Sequence, residues 1–504
     1  MASRSDKQIA LIPILVLPVL AWIITAKKIE PYLGVIELFK ITPERPILWL
    51  PIIGGLLLGI LFAWFLLHNE YGEFKGAPFK KFLRGTQIVK PIRLKQKTKE
   101  KNKKQITISN IPMPTKAENL HTLINGSTGM GKSVAMREIA YTGLLRGDRM
   151  VFADPDGAML NIFGRNQKDK ILNPFDGRTE GWSVFNEIRN TYDFTRLANA
   201  IIPKGKTADA EEWAGYSRLL LSETMKKLQL LGSATTQELF RWTTIVPVDD
   251  LKDFLEGTAA ESLFAGTSEG SKALGSARFL ISDKLAPHLH MPEGNFSIRD
   301  FLEDETAGNL YMTYREDMRS ALRPLLSAWT DIISSTIVSF PEDENRIIWI
   351  NLDELASLDK QYTLKDLLTK GRKRGARVVA GLQSTAQLDD IYGEEQAQEL
   401  RSCFSSLIVL GGAKADPKTA EDMSLSLGEH EVLREKETTT SNGTTTSTDV
   451  VRERVISPAE ITNTPELTAF IAFAGGLPIA RVKMKYTHFK KHMPGFVDRD
   501  GVIC

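Results

Sequence analysis

The stretch NGSTGMGKSV, residues 125–134, carries the spacing G-x-x-x-x-G-K-S. This is the spacing of a phosphate-binding loop, in which glycines let backbone N–H groups converge on phosphate oxygens at the amino end of the next helix. The apolar HTLI before it and VAMREIAYTGLL after it predict a strand, a loop and a helix in that order. The predicted nucleotide-binding residues are Gly126, Ser127, Thr128, Gly129, Met130, Gly131, Lys132 and Ser133.

Two residues of this loop have predicted chemical roles. We expect the Lys132 ammonium to reach the β- and γ-phosphates and so to act in catalysis. The hydroxyl of Ser133 is expected to bind Mg²⁺. The sequence therefore predicts ATP and Mg²⁺ as the ligands of this loop.

A pair of carboxylates follows an apolar strand much later in the chain. The segment NRIIWINLDEL predicts a strand over Ile347–Leu352, with Asp353 and Glu354 at its carboxyl end. We expect Asp353 to orient the metal through water and Glu354 to act as the general base on the attacking water. The alternative is that the acids cap the next helix. Beside a phosphate-binding loop, the pair favours hydrolysis over nucleotide storage.

Polar residues also flank the next predicted strand, ARVVAGL, residues 376–382. Gln383 follows it and is expected to contact the γ-phosphate or the attacking water. Arg372 lies in a basic turn before the strand. One interpretation is a solvated turn; the other is that Arg372 reaches the nucleotide of an adjacent subunit as a catalytic residue.

The chain is long enough, at 504 residues, for more than one domain. Short apolar β-rich runs alternate with amphipathic segments from about residue 105, which predicts an α/β fold with a parallel sheet covered by helices. One such run, DRMVFADPDG, reads as a strand ending in acids. Helical periodicity without a strand signal predicts an inserted all-α domain over residues 182–296, leaving 105–181 and 297–504 for the nucleotide-binding domain.

Two uncharged apolar runs near the N-terminus predict a membrane anchor over residues 1–70. They cover residues 9–26 and 47–67, and each is about long enough to cross a hydrocarbon core as a helix. A cleaved signal peptide is the alternative for the first run. In the second run, Gly55 and Gly59 form a G-x-x-x-G face that would let another helix approach, although they could be ordinary membrane glycines.

Charge gives the predicted orientation of the anchor. Basic residues flank both runs, so they favour a cytoplasmic N-terminus only weakly, but ATP is cytoplasmic. We therefore expect both termini inside and the loop between the runs outside. Residues 71–104 contain RLKQKTKEKNKK and are expected to form a solvated basic stem near anionic headgroups, or alternatively a nucleic-acid contact.

Several function classes are disfavoured by composition. The formal net charge of +2 argues against a polycation that binds nucleic acid by bulk charge, so any basic surface is local. The two cysteines, Cys403 and Cys504, match no metal-ligand spacing and provide no disulfide framework. The stretch ETTTSNGTTTSTD, residues 437–449, has low complexity and is expected to be a mobile loop.

Taken together, five motifs resemble those of the coupling proteins of bacterial conjugation and type IV secretion, especially the TrwB-like members. The motifs, which occur with the two N-terminal apolar runs, are NGSTGMGKS, DRMVFADPDG, LDELASL, LTKGRKRGARVVAGLQSTAQLDD and DMSLSLGEHEV. The resemblance extends over essentially the whole chain.

This resemblance implies a RecA-like ATPase that assembles as a hexamer at the bacterial inner membrane, with its ATPase domain in the cytoplasm. It also implies DNA as a partner, and a link between the relaxase-bound plasmid DNA, the relaxosome, and the secretion channel proteins. The all-α domain would face the relaxosome. Nucleotide roles would fall on Lys132, Ser133, Asp353, Glu354 and Gln383. A trans-acting arginine would be Arg372.

Two alternative functions remain at this level. The chain could be an interaction scaffold whose nucleotide state regulates docking, while another ATPase supplies the work. DNA-stimulated hydrolysis would separate a motor from such a scaffold. The chain could also be a chromosome-segregating translocase. We recognise no winged DNA-reading domain after residue 480, which argues against this alternative.

Overall fold

The computed structural model describes residues 4–68, 79–165, 167–264, 268–361, 363–440 and 443–499. The chain divides into two compact units with the boundary between Lys80 and Lys81. The predicted anchor therefore lies in the first unit, and the predicted phosphate-binding loop lies in the second.

The first unit is helical. Its helices are α1 (Arg4–Ile29), α2 (Val35–Ile41) and α3 (Trp49–His68). Gly55 is buried, and a Cβ there would lie 2.7 Å from both the Leu17 carbonyl oxygen and the Pro18 Cα. The predicted close approach at Gly55 is therefore confirmed, and it occurs between α3 and α1 of the same chain.

The two apolar runs thus form helices, and their passage through a membrane stays a prediction. Within the described residues, no individual helix meets the length and hydropathy requirements of a membrane span. Val35–Glu44 and Pro46–Phe62, which are bent by 116° relative to each other, meet them only as a pair.

The second unit is built on fifteen described strands. They are β1 (Lys81–Gly85), β2 (Ile88–Val89), β3 (Thr107–Ile108), β4 (Ile111–Pro112), β5 (Thr122–Asn125), β6 (Arg149–Pro155), β7 (Lys170–Leu172), β8 (Leu310–Tyr314), β9 (Ile348–Leu352), β10 (Ala376–Leu382), β11 (Ser406–Leu410), β12 (Glu429–Thr440), β13 (Gly443–Arg454), β14 (Thr468–Ala472) and β15 (Ile479–Lys483). Ten of them form one sheet in the order β2-β15-β14-β11-β5-β10-β9-β6-β8-β7. Strands β11, β5, β10, β9, β6, β8 and β7 are parallel, and β14 runs antiparallel to both its neighbours.

The second unit has sixteen described α-helices. They are α4 (Pro91–Thr98), α5 (Thr115–Glu118), α6 (Lys132–Arg146), α7 (Ala158–Phe163), α8 (Thr191–Ile201), α9 (Ala208–Leu230), α10 (Thr236–Phe240), α11 (Val248–Phe254), α12 (Ser268–Leu285), α13 (Ile298–Glu303), α14 (Arg319–Ser339), α15 (Leu364–Lys370), α16 (Thr385–Tyr392), α17 (Glu394–Ser402), α18 (Pro417–Leu427) and α19 (Pro458–Thr462). Successive strand residues such as Val151 and Phe152 belong to two different apolar clusters. Because successive side chains on a strand point to opposite faces, both faces of the sheet are buried, as the continuous apolar runs predict.

The described residues between 182 and 296 contain helices and no strand longer than a single bridge, which pairs Trp182 with Phe296. This bridge brings together the two ends of the helical segment. The Trp182 N–H donates to the Pro292 carbonyl oxygen at 2.9 Å, and the Phe296 N–H donates to the Gly181 carbonyl oxygen at 3.1 Å. The segment therefore leaves and re-enters the α/β domain at one place.

The low-complexity stretch 437–449 is predicted to be a mobile loop, but its described residues form strands. Its described residues belong to a hairpin of β12 and β13. The paired residues run from Glu429 opposite Arg454 to Thr440 opposite Gly443. β1 pairs with the base of β12, which makes a three-stranded sheet. Threonine is β-branched and favours extended backbone, so the same composition supports strands once a partner is available.

The basic segment also differs from the solvated stem that we predict. Strand β2 adds to the large sheet beside β15, and Leu94 of α4 is completely buried in the cluster that covers α6. Lys95, Lys97 and Lys99 are exposed. Residues 81–104 thus contribute core side chains to the α/β unit and present their lysines to solvent, as amphipathic helices do.

Candidate active site

The carboxyl ends of four neighbouring strands form the candidate site. In the register of the sheet, Leu382 at the end of β10 lies opposite Asn125 at the end of β5. Leu352 at the end of β9 lies opposite Ala380 of β10 and Ala153 of β6. The residues that follow these strands therefore meet at one edge, which is where open α/β sheets bind ligands.

The phosphate-binding loop leaves β5 at this edge and enters α6. The Gly126 N–H donates to the Leu382 carbonyl oxygen at 3.1 Å, and the Ser127 N–H donates to the Gly411 carbonyl oxygen at 3.0 Å. Gly129 and Gly131 have φ angles of 82° and 112°, in the left-handed region that only glycine adopts without strain. The predicted strand, loop and helix are confirmed.

The loop is also held by the C-terminal part of the chain, which the sequence did not reveal. The Leu467 N–H donates to the Met130 carbonyl oxygen at 3.1 Å, and Leu467 itself has a φ of 55°. A Cβ at Gly411 would lie 2.7 Å from the Thr464 carbonyl oxygen, so a glycine here permits the close packing of the C-terminal part against the loop. A leucine with positive φ is uncommon. Because backbone angles cannot be read from sequence, this contact with the loop could not be predicted.

The ammonium of Lys132 contacts the carboxylate of Glu354. The Lys132 Nζ lies 2.9 Å from Oε2 of Glu354, and the two side chains are 10% and 11% exposed. Within the described part of the chain, Glu354 Oε1 is buried without a hydrogen-bond partner. A buried carboxylate oxygen of this kind is suited to accept a hydrogen bond from water, as a general base must.

Asp353 lies beside this pair. Burial raises the pKa of the Asp353 carboxyl, the nearby charge of Lys132 opposes that change, and the charge of Glu354 adds to it. Its position depends on Gly381 in β10, because a Cβ at residue 381 would collide with the Asp353 carbonyl oxygen. The glycine thus lets the ends of β9 and β10 approach each other.

Gln383 points toward the phosphate-binding loop from β10. The Thr128 hydroxyl donates to Gln383 Oε1 at 3.1 Å. The structure therefore brings Gln383 together with Lys132, Asp353 and Glu354 at one edge of the sheet.

The residues present fit Mg²⁺ and a nucleoside triphosphate. The N–H groups of Lys132 and Ser133 lie in the first turn of α6, where N–H groups have no acceptor within the helix and where the helix dipole favours an anion. A hydroxyl at Ser133 and a carboxylate at Asp353 are oxygen ligands of the type that Mg²⁺ prefers. A Cβ at Gly129 would meet nothing within 4 Å, so the tip of the loop is open.

Arg372 is not part of this cluster. It lies in a one-turn helix, Gly371–Arg374, that precedes the amino end of β10, and its side chain is exposed. The pKa of the neighbouring His121 is lowered to about 4, mainly by burial and in part by the charge of Arg372. Seven strand residues separate this turn from Gln383, a rise of about 20 Å. Arg372 therefore cannot reach the site of its own chain.

Asp154 also belongs to the candidate site, although no role for it is predicted from sequence. It follows Ala153 in β6, is 1% exposed, and accepts the N–H groups of Met159 and Leu160, both at 2.8 Å. The pKa of the Asp154 carboxyl is raised to about 7. Burial is the main cause, the charge of Asp353 contributes to the increase, and the two N–H donors oppose it. The acids after β6 were visible in the sequence, but their proximity to Asp353 depends on the strand order.

Fold and site together define the class: an α/β P-loop nucleotide-binding domain that carries a helical domain. Comparison with known proteins narrows this class. Residues 105–485 match the family model of the type IV secretion-system coupling protein DNA-binding domain. The chain belongs to this family of TrwB/TraD-like coupling proteins.

Individual relatives agree with this assignment. The chain is 29% identical over 410 residues to coupling protein TraD of Escherichia coli (strain K12), which covers 78% of this chain and 56% of that protein. The chain thus spans just over half the length of this relative. The unbound bacterial conjugative coupling protein TrwBdeltaN70 is 60% identical, with a TM-score of 0.81 over 85% of this chain and 99% of that one. TrwB in complex with ADP and Mg²⁺ matches at 60% identity, with a TM-score of 0.80, over 85% of this chain and all of that one.

Proposed function

We propose that this protein is a DNA-dependent ATPase, anchored in the bacterial inner membrane, that couples the relaxosome to a type IV secretion channel during conjugation. The observation that carries the proposal is the contact between Lys132 of the phosphate-binding loop and Glu354 at the end of β9. A carboxylate at this place, beside the phosphate-binding cation, can accept a proton from an attacking water, which hydrolysis needs and simple nucleotide storage does not.

The roles of the side chains follow from their positions. The loop N–H groups and Lys132 bind the phosphates. Ser133 and Asp353 would hold Mg²⁺, which would supply positive charge to stabilise the transferred phosphoryl group. Glu354 accepts a proton from the attacking water, and Gln383 orients that water. Solved structures of TrwB with ADP and Mg²⁺ and with the non-hydrolysable ATP analogue ADPNP support these ligands.

Arg372 is proposed to act on the nucleotide of a neighbouring subunit. Its position at the opposite edge of its own sheet supports this role, because an exposed arginine that cannot reach its own site is free to reach another. Such an arginine requires a ring of subunits, for which we propose a hexamer. Nucleotide-driven movements around the ring would pull DNA by contacts with its phosphates, independent of sequence.

The first unit is proposed to anchor the motor as a multi-pass membrane segment, with the ATPase domain in the cytoplasm. Large apolar side chains on the outside of α3 support this, since Leu57 and Leu61 are 62% and 64% exposed. Relaxase-bound plasmid DNA and the inner-membrane proteins of the secretion channel are the proposed partners. The family model, which describes a DNA-binding domain of type IV secretion-system coupling proteins, supports DNA and the secretion machinery as partners.

ATP turnover by the purified protein, with no DNA, with single-stranded DNA and with double-stranded DNA, tests the proposal. We expect Mg²⁺-dependent hydrolysis that DNA stimulates, and none in a Lys132→Ala variant. The exposed Lys365→Ala variant, which changes a cation outside the site, is the matched control and should retain turnover. Nucleotide binding without hydrolysis under all three conditions would instead favour a scaffold regulated by its nucleotide state.

A further inference from the structure

Thr419 of α18 contacts the residues that directly follow Gln383. It is 3% exposed, and its hydroxyl oxygen accepts the Thr385 N–H at 2.9 Å. The hydroxyl oxygens of Thr419 and Thr385 lie 3.1 Å apart, and Ser384 Oγ lies 3.3 Å from Thr419 Oγ1. Three contacts thus join one buried hydroxyl to the start of α16.

These contacts connect the N-terminal caps of two helices. Ser384 caps α16 by accepting the Ala386 N–H at 3.2 Å, and Asp416 caps α18 by accepting the Thr419 N–H at 3.1 Å. The Thr419 hydroxyl donates to Asp416 Oδ2 at 2.6 Å. Because a hydroxyl has one proton and two lone pairs, this bond leaves two lone pairs to accept from the α16 cap, one of them from the Thr385 N–H.

Helix α18 is itself held on two sides. Lys418 pairs with Asp389 of α16 at 3.0 Å and with Glu394 of α17 at 2.8 Å. On its other side, the Ser424 hydroxyl donates to the Ile456 carbonyl oxygen at 2.6 Å. Thr419 therefore belongs to a fixed frame and not to a mobile loop.

Gln383 lies between this frame and the phosphate-binding loop. Its backbone continues into Ser384, and its side-chain Oε1 accepts the Thr128 hydroxyl. The direction in which the chain leaves β10 at Leu382 determines where the Gln383 amide points. A shift of about 1 Å in a catalytic group is enough to lower turnover by as much as about 100-fold.

We infer that Thr419 is a positioning residue for ATP hydrolysis: its hydroxyl fixes the cap of α16 and so holds Gln383 in place. This inference rests on the proposed function. It does not place Thr419 in contact with nucleotide, so loss of its hydroxyl should lower kcat and leave nucleotide binding intact.

The test compares Thr419→Val, which removes the hydroxyl at nearly constant volume, with Thr419→Ser, which retains it. Thr330→Val is the matched control, because Thr330 is 1% exposed and donates to the Leu326 carbonyl oxygen at 2.8 Å within α14. In the full-length protein, we expect Thr419→Val to lower kcat by about tenfold or more, with KM for ATP changed by less than about twofold. Thr419→Ser and Thr330→Val should retain the kcat of the unsubstituted protein.

Amide hydrogen exchange of residues 384–386 gives a second readout that does not depend on turnover. Thr419→Val should speed this exchange, whereas Thr330→Val should not. Unchanged exchange and unchanged kcat in Thr419→Val would overturn the inference, and so would equal losses in Thr419→Val and Thr330→Val. If the unsubstituted protein binds ATP without hydrolysing it, the proposed function fails. Faster exchange in Thr419→Val, but not in Thr330→Val, would then still show that the Thr419 hydroxyl fixes the cap of α16.

Discussion

The Lys132 Nζ lies 2.9 Å from Glu354 Oε2, although 222 positions separate the two residues along the chain. The cation that is expected to bind phosphate thus contacts the carboxylate that is expected to activate water. The phosphates of a bound nucleotide would compete with Glu354 for this ammonium. We therefore expect nucleotide binding to weaken the pair and to leave Glu354 free to accept a proton.

Glu354→Gln should bind ATP but scarcely hydrolyse it. The amide cannot accept the proton of the attacking water, so we expect kcat to fall by about 10²–10⁴-fold. Binding of a fluorescent ATP analogue should change little, because the loop and Mg²⁺ provide it. Glu342→Gln, at an exposed carboxylate paired with Lys373 at 3.6 Å, is the control. Loss of ATP binding in Glu354→Gln would show that its role is misassigned.

Lys132→Ala should also lower stability, because it leaves Glu354 without its cation in a largely buried position. We expect the free energy of unfolding to fall by about 1–3 kcal/mol, measured by denaturant titration without nucleotide. Adding Glu354→Gln to Lys132→Ala should restore part of the loss, since the neutral amide needs no cation. Lys365→Ala removes an exposed partner of Glu399 and should change stability by less than about 0.5 kcal/mol. Strictly additive losses in the double variant would contradict a direct interaction.

Gly381→Ala should separate the ends of β9 and β10. Its methyl group would collide with the Asp353 carbonyl oxygen, so the backbone must shift and carry Asp353 and Glu354 with it. We expect both ATP turnover and melting temperature to fall. The control is Gly412→Ala, where the nearest atom to the new Cβ would be a side-chain atom of Ile461 at 3.8 Å. Equal activity of the two variants would show that this close approach is not needed.

Mixing inactive variants should test the trans role of Arg372. Lys132→Ala lacks the phosphate-binding cation, and Arg372→Ala lacks the proposed transition-state charge, so each pure assembly should be inactive. In a mixed ring, an intact Arg372 can face an intact Lys132, and some ATPase activity should return. Labelled subunits must first show that exchange occurs. A control ring contains a few unsubstituted subunits among inactive ones and tests whether a single complete site can hydrolyse ATP. If this control ring is active but verified mixed rings of the two variants stay inactive, Arg372 has no trans role.

Asp154 should make stability depend on pH. Its pKa is about 7 in the folded protein against an ordinary value of 3.8, so the folded state binds a proton that the unfolded chain has released. Stability from this group is therefore present below about pH 4 and is lost as the pH rises toward about 7, by about 1.4 kcal/mol per pH unit. Denaturant titrations from pH 4 to 8 should show this slope in the unsubstituted protein relative to Asp154→Asn. Parallel pH profiles of the two proteins would contradict it.

Local features of the fold and site were predictable from sequence. The phosphate-binding loop is contiguous, and its glycines, lysine and serine act through the backbone of a single turn, so their spacing alone predicts the structure. The strand before Asp353 and Glu354 was likewise predictable, because a short apolar run bounded by polar residues forms a buried strand. The helical character of residues 182–296 followed from periodicity in the same way.

Only the tertiary structure determined which of these local pieces meet. The order and register of β5, β10, β9 and β6 bring Lys132 to Glu354, add Asp154, and leave Arg372 at the far edge. The threonine-rich stretch became a hairpin, because β12 and β13 pair with each other and β1 pairs with β12. Residues 88–98 pack against the α/β unit, because β15 offers an edge to β2 and Leu94 of α4 is buried in the core. Strand pairing joins residues that are far apart along the chain, and a local sequence pattern gives the propensity of a segment but not its partner.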